Sequence, residues 1–124
     1  MPKREIVEIQ SRDIWVKLVE MLQQNWALID VEEDGRAHVF FLGDTSGVFD
    51  EMTFPTLEGA KDGLRWNGFQ RFTEDEKLQE FLRPPQPPFW RSQHPNGLIY
   101  SSGRFWRDRP RRRQKIDYDM EGLP

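Results

Sequence analysis

Cysteine is absent from this chain of 124 residues, and histidine occurs only at His38 and His94. Without cysteine the chain forms no disulfide, carries no thiol nucleophile and offers no thiolate to a metal ion. The two histidines lie far apart in the sequence, and neither belongs to a metal motif such as H-E-x-x-H. We therefore expect neither a metal ion nor a cofactor.

Long apolar runs are also missing. No segment approaches the roughly 18 consecutive apolar residues that a membrane-spanning helix needs. Near the N-terminus, the apolar residues at positions 6–9 are interrupted by Glu8, whereas a secretory signal needs a longer apolar stretch. The sequence therefore predicts a cytoplasmic protein that makes no contact with a membrane.

The apolar content is low, but it suffices for one small core. Hydrophobic residues make up 36% of the chain and charged residues 31%. Leucine, isoleucine, valine and phenylalanine together form about a quarter of the residues, above the roughly 20% below which disorder is expected. The length is that of one ordinary domain.

Charge is distributed unevenly along the chain. Residues 104–115 contain seven basic and one acidic side chain, whereas residues 1–103 carry a net charge of -6. This asymmetry predicts a single domain over residues 1–106 and a flexible charged tail over residues 107–124. The tail either stays in solvent or contacts the acidic body, or it binds nucleic acid through Arg107, Arg109, Arg111, Arg112, Arg113 and Lys115.

The strongest local signal is a β-hairpin over residues 26–42. Asp34 and Gly35 separate two runs of strand-forming residues, which is typical of a two-residue type I′ turn. Such a turn predicts the following register: Glu33 opposite Arg36, Val31 opposite His38, Ile29 opposite Phe40, and Ala27 opposite Leu42. His38 then lies on an apolar face, where we expect a structural histidine with satisfied hydrogen bonds.

Helices are predicted in three places. The first covers residues 12–24, begins after Ser11 as N-cap and carries apolar residues at helical spacing. The second begins at Pro55 or Thr56 and ends at residues 67–68. The third begins with a capping box over residues 73–76 and carries Leu78, Phe81 and Leu82.

The predicted fold class is therefore α+β. We expect a small antiparallel sheet built on the 26–42 hairpin, with two to three helices packed mainly on one face. A third strand is expected over residues 48–54. The proline-rich residues 84–90 favour polyproline II, and residues 84–106 are expected to brace one edge or end of the sheet layer.

The segment over residues 89–106 combines aromatic side chains with arginines, a pattern that suits stacking on planar groups and neutralising anions. The predicted binding residues are Trp90, Arg91, His94, Tyr100, Ser101, Ser102, Arg104 and Trp106. The alternative interpretation is that these aromatic residues fold back onto the core.

Catalysis is the weakest hypothesis, because spacing places no nucleophile or orienting acid beside His94. The sequence does not determine the function. It favours a non-catalytic accessory or interaction domain that binds another protein through the 89–106 surface. Two alternatives stay open: a nucleic-acid-binding protein that adds the basic tail, and a small enzyme or metabolite binder with an anion site at residues 101–104. The oligomeric state is not indicated.

Overall fold

The computed structural model describes residues 5–19, 23–93, 102–103 and 106–108. Seven strands and two α-helices follow one another along these residues, and a 3-10 turn at Phe72–Glu74 precedes the second helix. The elements are β1 (Ile6–Val7), β2 (Ile14–Leu18), β3 (Gln24–Val31), β4 (Ala37–Leu42), β5 (Gly47–Phe54), α1 (Leu57–Trp66), β6 (Gln70–Arg71), α2 (Glu76–Phe81) and β7 (Phe89–Arg91).

All seven strands belong to one sheet, in the order β1-β7-β5-β4-β3-β2-β6. The strands β5 and β7 run parallel, and the other neighbours run antiparallel. The α+β class is confirmed, but the sheet is larger than predicted and is mixed rather than antiparallel. The third strand, expected over residues 48–54, is confirmed as β5.

The central hairpin is confirmed, but its turn and register differ from the prediction. Gly35 donates its backbone N–H to the carbonyl of Glu32, and Glu32 donates to the carbonyl of Arg36. The loop therefore holds three residues, with Gly35 at a φ of +91° after a type I turn. The extra residue shifts β4 by one position, so that Asp30 lies opposite His38, and Leu28 opposite Phe40.

A shift of one residue moves a strand's side chains to the other face. The sheet has two covered faces, which we call the α1 face and the α2 face. The α1 face buries Trp15, Ala27, Ile29, Ala37, Val39, Phe41, Phe49, Ala60, Leu64 and Phe69. The α2 face buries Val7, Ile9, Ile14, Val16, Trp26, Leu28, Phe40, Leu42, Val48, Phe72, Leu82 and Phe89, with Leu78 packed against them.

The two helices therefore cover opposite faces, contrary to the expectation that they share one. Helix α1 contributes Ala60 and Leu64 to the α1 face, whereas α2 contacts the other face through Leu78. Both faces need apolar cover because β2, β3 and β4 carry apolar residues at consecutive positions.

The helix predicted over residues 12–24 is wrong, since residues 14–18 form strand β2. Ile14 and Val16 are buried on the α2 face and Trp15 on the α1 face, so an apolar run without strict alternation fits a strand covered on both sides. Ser11 is not an N-cap: its hydroxyl accepts from the backbone N–H of Asp13, 2.9 Å away, in a local turn.

Helix α1 matches its prediction, because local signals define both ends. The Thr56 hydroxyl accepts the backbone N–H of Gly59 at 3.0 Å, and the chain leaves the helix through Asn67 and Gly68. The third helix begins later than predicted: Asp75, not Thr73, is the N-cap and accepts from the N–H of Leu78. Phe81, expected on the apolar side, is 78% exposed.

The proline-rich residues 84–88 lie outside helices and strands, as predicted. Phe89 and Trp90, for which polyproline II at an edge was predicted, instead belong to β7, which lies inside the sheet between β1 and β5. No helix formed by the described residues is long and apolar enough to cross a membrane.

Candidate functional site

The predicted 89–106 surface is divided by the fold. Phe89 is buried on the α2 face, and alternation along β7 places Arg91 on that face and Trp90 on the other. Ser102 is fully buried. Four of the predicted residues, His94, Tyr100, Ser101 and Arg104, lie outside the described residues, and so do Arg109, Arg111, Arg112, Arg113 and Lys115 of the predicted nucleic-acid site.

Trp106 packs against the protein's own core. Its ring lies 5.6 Å from that of Phe41 and 5.9 Å from that of Phe54, measured between centroids. The backbone of Arg107 is anchored as well. The side-chain amide of Asn67 donates to the Arg107 carbonyl at 2.9 Å and accepts the Arg107 N–H at 2.8 Å. For Trp106, these contacts match the alternative in which the aromatic residues cover the core.

Arg107 also lies near Lys17, a lysine of strand β2. The pKa of Lys17 is lowered from its ordinary value, first by burial and then by the charge of Arg107. Two positive charges thus approach each other at the end of the α1 face, where Lys17 packs close to Gly68.

A row of polar side chains crosses the α2 face beyond the apolar cluster. His38 on β4 lies 2.7 Å from Glu51 on β5, measured from Nε2 to Oε1. Arg91 on β7 donates to the other oxygen of Glu51. The second ring nitrogen of His38 lies 3.5 Å from Glu32 and 3.4 Å from the Thr53 hydroxyl. His38 therefore has oxygen neighbours at both ring nitrogens.

A β-bulge makes this row possible. Leu42 pairs with Val48 and Phe41 with Asp50, so Phe49 is the extra residue of β5. Because of this extra residue, Glu51 lies on the same face as Phe40, its pairing partner. The Glu51 carboxylate is thereby brought beside His38 and Arg91. The His38 ring also packs against the Phe40 ring, with centroids 4.5 Å apart.

The hydrogen bonds of this row favour the ionised form of the Glu51 carboxylate. Burial acts to raise the pKa of Glu51, but hydrogen bonds from Arg91 and His38 outweigh burial, and the pKa is lowered. The hydrogen bond to Glu51 in turn raises the pKa of Arg91. The arrangement resembles a structural ion pair reinforced by a histidine, because each charged group is engaged by another.

Next to His38, a cleft of about 520 Å³ opens at the turn end of β3. Its polar lining comes from both strands and from the segment before β2. The lining residues are Gln10, Ser11, Asp13, Ile29, Asp30, Val31, Glu32, His38, Phe40 and Leu57. A cleft of this size, with apolar walls and a few convergent polar groups, is typical of a binding site.

Carboxylates dominate the charged groups of the cleft lining. Among the described residues, its lining includes three carboxylates and no lysine or arginine. Asp30 accepts the backbone N–H groups of Gln10 and Ser11 at 2.9 and 2.6 Å, and Asp13 pairs with Arg71 at 2.8 Å. Glu32 is more open: its side chain is 38% exposed and its neighbours are Arg36 and His38.

A smaller cleft of about 300 Å³ lies at the β6 edge. Arg65 and Arg71 stack over the Trp15 ring there, 5.1 and 5.8 Å from its centroid. Arg71 is held by Asp13 and Glu74, which compensate its charge. We interpret this cleft as a packed edge of the fold, since its cations already have carboxylate partners.

The acidic cleft was not predicted, because the predicted register placed Asp30 and His38 on opposite faces of the hairpin. Opposite charges across a hairpin were a usable signal, since Asp30 and His38 face each other once the loop holds three residues. Among the described residues, no group of three or more histidine, aspartate or glutamate side chains could hold a metal ion. No protein-family model, no curated protein and no solved structure matches the chain.

Proposed function

We propose that the protein is a non-catalytic interaction domain that receives a cationic side chain of a partner protein in the acidic cleft. The observation that carries this proposal is the lining itself: in the part of the chain that the structure describes, it holds three carboxylates without a lysine or arginine, around a cavity of about 520 Å³. Lysine and arginine combine a charged head with an apolar stem, and the cleft offers both environments. Ile29, Val31 and Leu57 supply the apolar part.

Glu32 is the carboxylate best placed to meet such a cation. Asp30 and Asp13 already accept short hydrogen bonds from the chain itself. The ion pair of Glu32 with Arg36 spans 3.2 Å between half-exposed side chains. An exposed pair of this kind contributes about 0–1 kcal/mol, so a bound cation displaces or shares it at little cost.

The arrangement of His38 favours binding over catalysis. A general base needs a free nitrogen directed at the substrate, whereas Glu51 engages one ring nitrogen of His38 at 2.7 Å. Glu32 and Thr53 lie within 3.5 Å of the other nitrogen. The ring therefore forms part of the cleft wall.

The test is an NMR titration of the full-length, ¹⁵N-labelled protein with N-acetyl-arginine-amide, and in parallel with N-acetyl-glutamate-amide. We expect saturable shifts only with the arginine compound, centred on residues 10–13, 30–32 and 38. The affinity should fall as salt is raised, because screening weakens exposed charge pairs.

Two matched variants identify the carboxylate that binds the cation. Glu32→Gln should weaken binding about fivefold, which corresponds to about 1 kcal/mol for one ion pair. Glu33→Gln removes the same charge from the neighbouring exposed residue of the turn, outside the cleft lining, and should leave affinity unchanged within twofold. Equal losses in the two variants, or equal shifts from both compounds, would contradict the proposal.

A further inference from the structure

We infer that the partner enters the cleft as an extended segment that adds, antiparallel, to the free edge of β3, with basic and apolar side chains alternating along it. This inference rests on the proposed function and specifies the form of the partner. The evidence is an interrupted strand pairing, a cleft that reaches both sheet faces, and the different chemistry of those faces.

The pairing of β3 with β2 stops before β3 ends. Its last paired residue is Leu28, opposite Ile14, and one further bond joins the Ile29 N–H to the Asp13 carbonyl at 3.4 Å. Beyond that point β3 continues to Val31, a residue that is 54% exposed. Within the described residues, no strand pairs with Val31 on this side.

The backbone of Val31 points into the gap. Glu32 bonds to Arg36 across the hairpin, so the backbone groups of Glu32 face β4. Neighbouring residues of an antiparallel strand direct these groups to opposite sides. The N–H and C=O of Val31 therefore face the same side as those of Ile29, where β2 has already ended. An added strand would satisfy both groups, as in other cases of peptide addition to a sheet edge.

The chain's own preceding segment turns away from this edge. The Ser11 hydroxyl accepts the Asp13 N–H in a local turn, and the Asp30 carboxylate binds the N–H groups of Gln10 and Ser11. A side chain of β3 thus holds residues 10–11, and none of the described segments bonds to the backbone of Val31 on this side. The gap between this segment and Val31 is the cleft.

The lining residues belong to both faces of the sheet. Asp30, Glu32 and His38 lie on the α2 side, whereas Ile29, Val31 and Leu57 lie on the α1 side. A strand seated in the gap directs successive side chains to alternate faces. Its basic side chains would meet the carboxylates, and the intervening ones would meet an apolar wall. Charge complementarity and the period of two together define the partner as an alternating basic and apolar strand.

The test uses acetyl-Lys-Val-Lys-Val-Lys-amide and the full-length protein, with affinity measured by calorimetry and contacts by NMR. Acetyl-Lys-Lys-Lys-Val-Val-amide has the same composition and charge without the alternation. We expect at least tenfold weaker binding of this second peptide, and a downfield shift of the Val31 amide proton with the alternating peptide only.

Backbone methylation distinguishes strand addition from simple charge attraction. In an antiparallel pair, the valine opposite Val31 exchanges N–H and C=O bonds with it, while the neighbouring lysine amides point away. Methylating the two valine nitrogens should reduce affinity at least tenfold, and methylating the central lysine nitrogen should change it less than threefold. If neither methylation changes the affinity, or if the second peptide binds as tightly as the first, strand addition is contradicted, whereas binding of a cation in the cleft is still supported. If no peptide binds, both are overturned.

Discussion

At the scale of single residues, Gly35 determines how the central hairpin turns. It has a φ of +91°, and a Cβ built on it would meet nothing within 4 Å. Substitution there is therefore a test of backbone strain alone. Gly35→Ala should lower the free energy of unfolding by about 1 kcal/mol, because a left-handed φ disfavours any residue with a Cβ.

Gly43 provides the matched control for Gly35. It also has open space around a built Cβ, and its φ lies outside the left-handed region. Gly43→Ala should change the free energy of unfolding by less than about 0.5 kcal/mol. Urea unfolding of both variants measures the difference. Similar losses would show that the loop does not depend on the conformation of Gly35.

Glu51 is the second residue whose role is open to direct measurement, because it joins His38 to Arg91. Glu51→Gln removes the negative charge but retains an acceptor oxygen. We expect a loss of about 1 kcal/mol in the free energy of unfolding at pH 7, typical of a partly exposed, charge-assisted hydrogen bond.

The same variant should change the pH dependence of stability. Folding lowers the pKa of Glu51 below its ordinary value of 4.5. The stability from this shift is therefore present above pH 4.5 and is lost as the pH falls through the folded-state pKa. The difference in the free energy of unfolding between the unsubstituted protein and Glu51→Gln should shrink as the pH falls below 4.5. Glu33→Gln, measured alongside, should not reproduce this narrowing.

At the scale of secondary-structure elements, local signals determined what could be predicted. Helix α1 was predictable because Thr56 caps its start and Asn67 with Gly68 ends it, all within the segment. The hairpin was predictable for the same reason, but its register depended on whether the loop held two or three residues. That single difference exchanged the faces of β4 relative to β3 and hid the proximity of Asp30 and His38.

Strand β2 was not predictable from its own residues. Its apolar positions fit a helical stripe as well as a strand buried on both sides, and periodicity alone does not separate the two. Pairing with β3 decides the outcome, since all five residues of β2 have partners there. The placement of β7 inside the sheet depends similarly on β1 and β5, which lie far away in the sequence.

The contact between α1 and Trp106 gives a prediction at this scale. A Cβ on Gly63 would lie 2.9 Å from the Trp106 ring and 3.2 Å from the Phe54 ring. Gly63→Ala should therefore destabilise the protein by about 1 kcal/mol, because crowding outweighs the better helix propensity of alanine. In a Trp106→Ala background the same substitution should become neutral or stabilising.

Gly59 is the control for this pair of measurements. A Cβ there would meet only the Thr56 hydroxyl, 3.1 Å away, so Gly59→Ala should have the same effect in both backgrounds. Thermal or urea unfolding of the six proteins completes the comparison. If Gly63→Ala behaves identically with and without Trp106, the helix does not rest on this ring.

At the scale of the whole molecule, one sheet carries two cores, and the candidate site lies where β3 extends past its neighbour. The position of the acidic cleft depends on pairing between distant segments. The cleft forms because the hairpin loop holds three residues, because β2 begins only at Ile14, and because the chain turns at Ser11. The negative charge of the body was evident from composition, whereas its concentration at a strand edge was not.

The boundary between domain and tail, predicted after residue 106, remains to be measured. Two truncated chains test it, one ending at residue 108 and one at residue 93. The first retains Trp106 and the Asn67–Arg107 bonds, and the second removes both. If residues 109–124 form a tail, the first chain should melt within about 2 °C of the full-length protein.

The shorter chain should melt roughly 10 °C lower. It loses the cover that Trp106 gives to Phe41 and Phe54, a loss of about 2 kcal/mol for a half-buried aromatic ring, and a domain of this size shifts by about 4–8 °C per kcal/mol. Circular dichroism melts of the three chains measure both steps. A large loss already in the chain ending at residue 108 would show that residues 109–124 support the fold, and the predicted boundary would then be wrong.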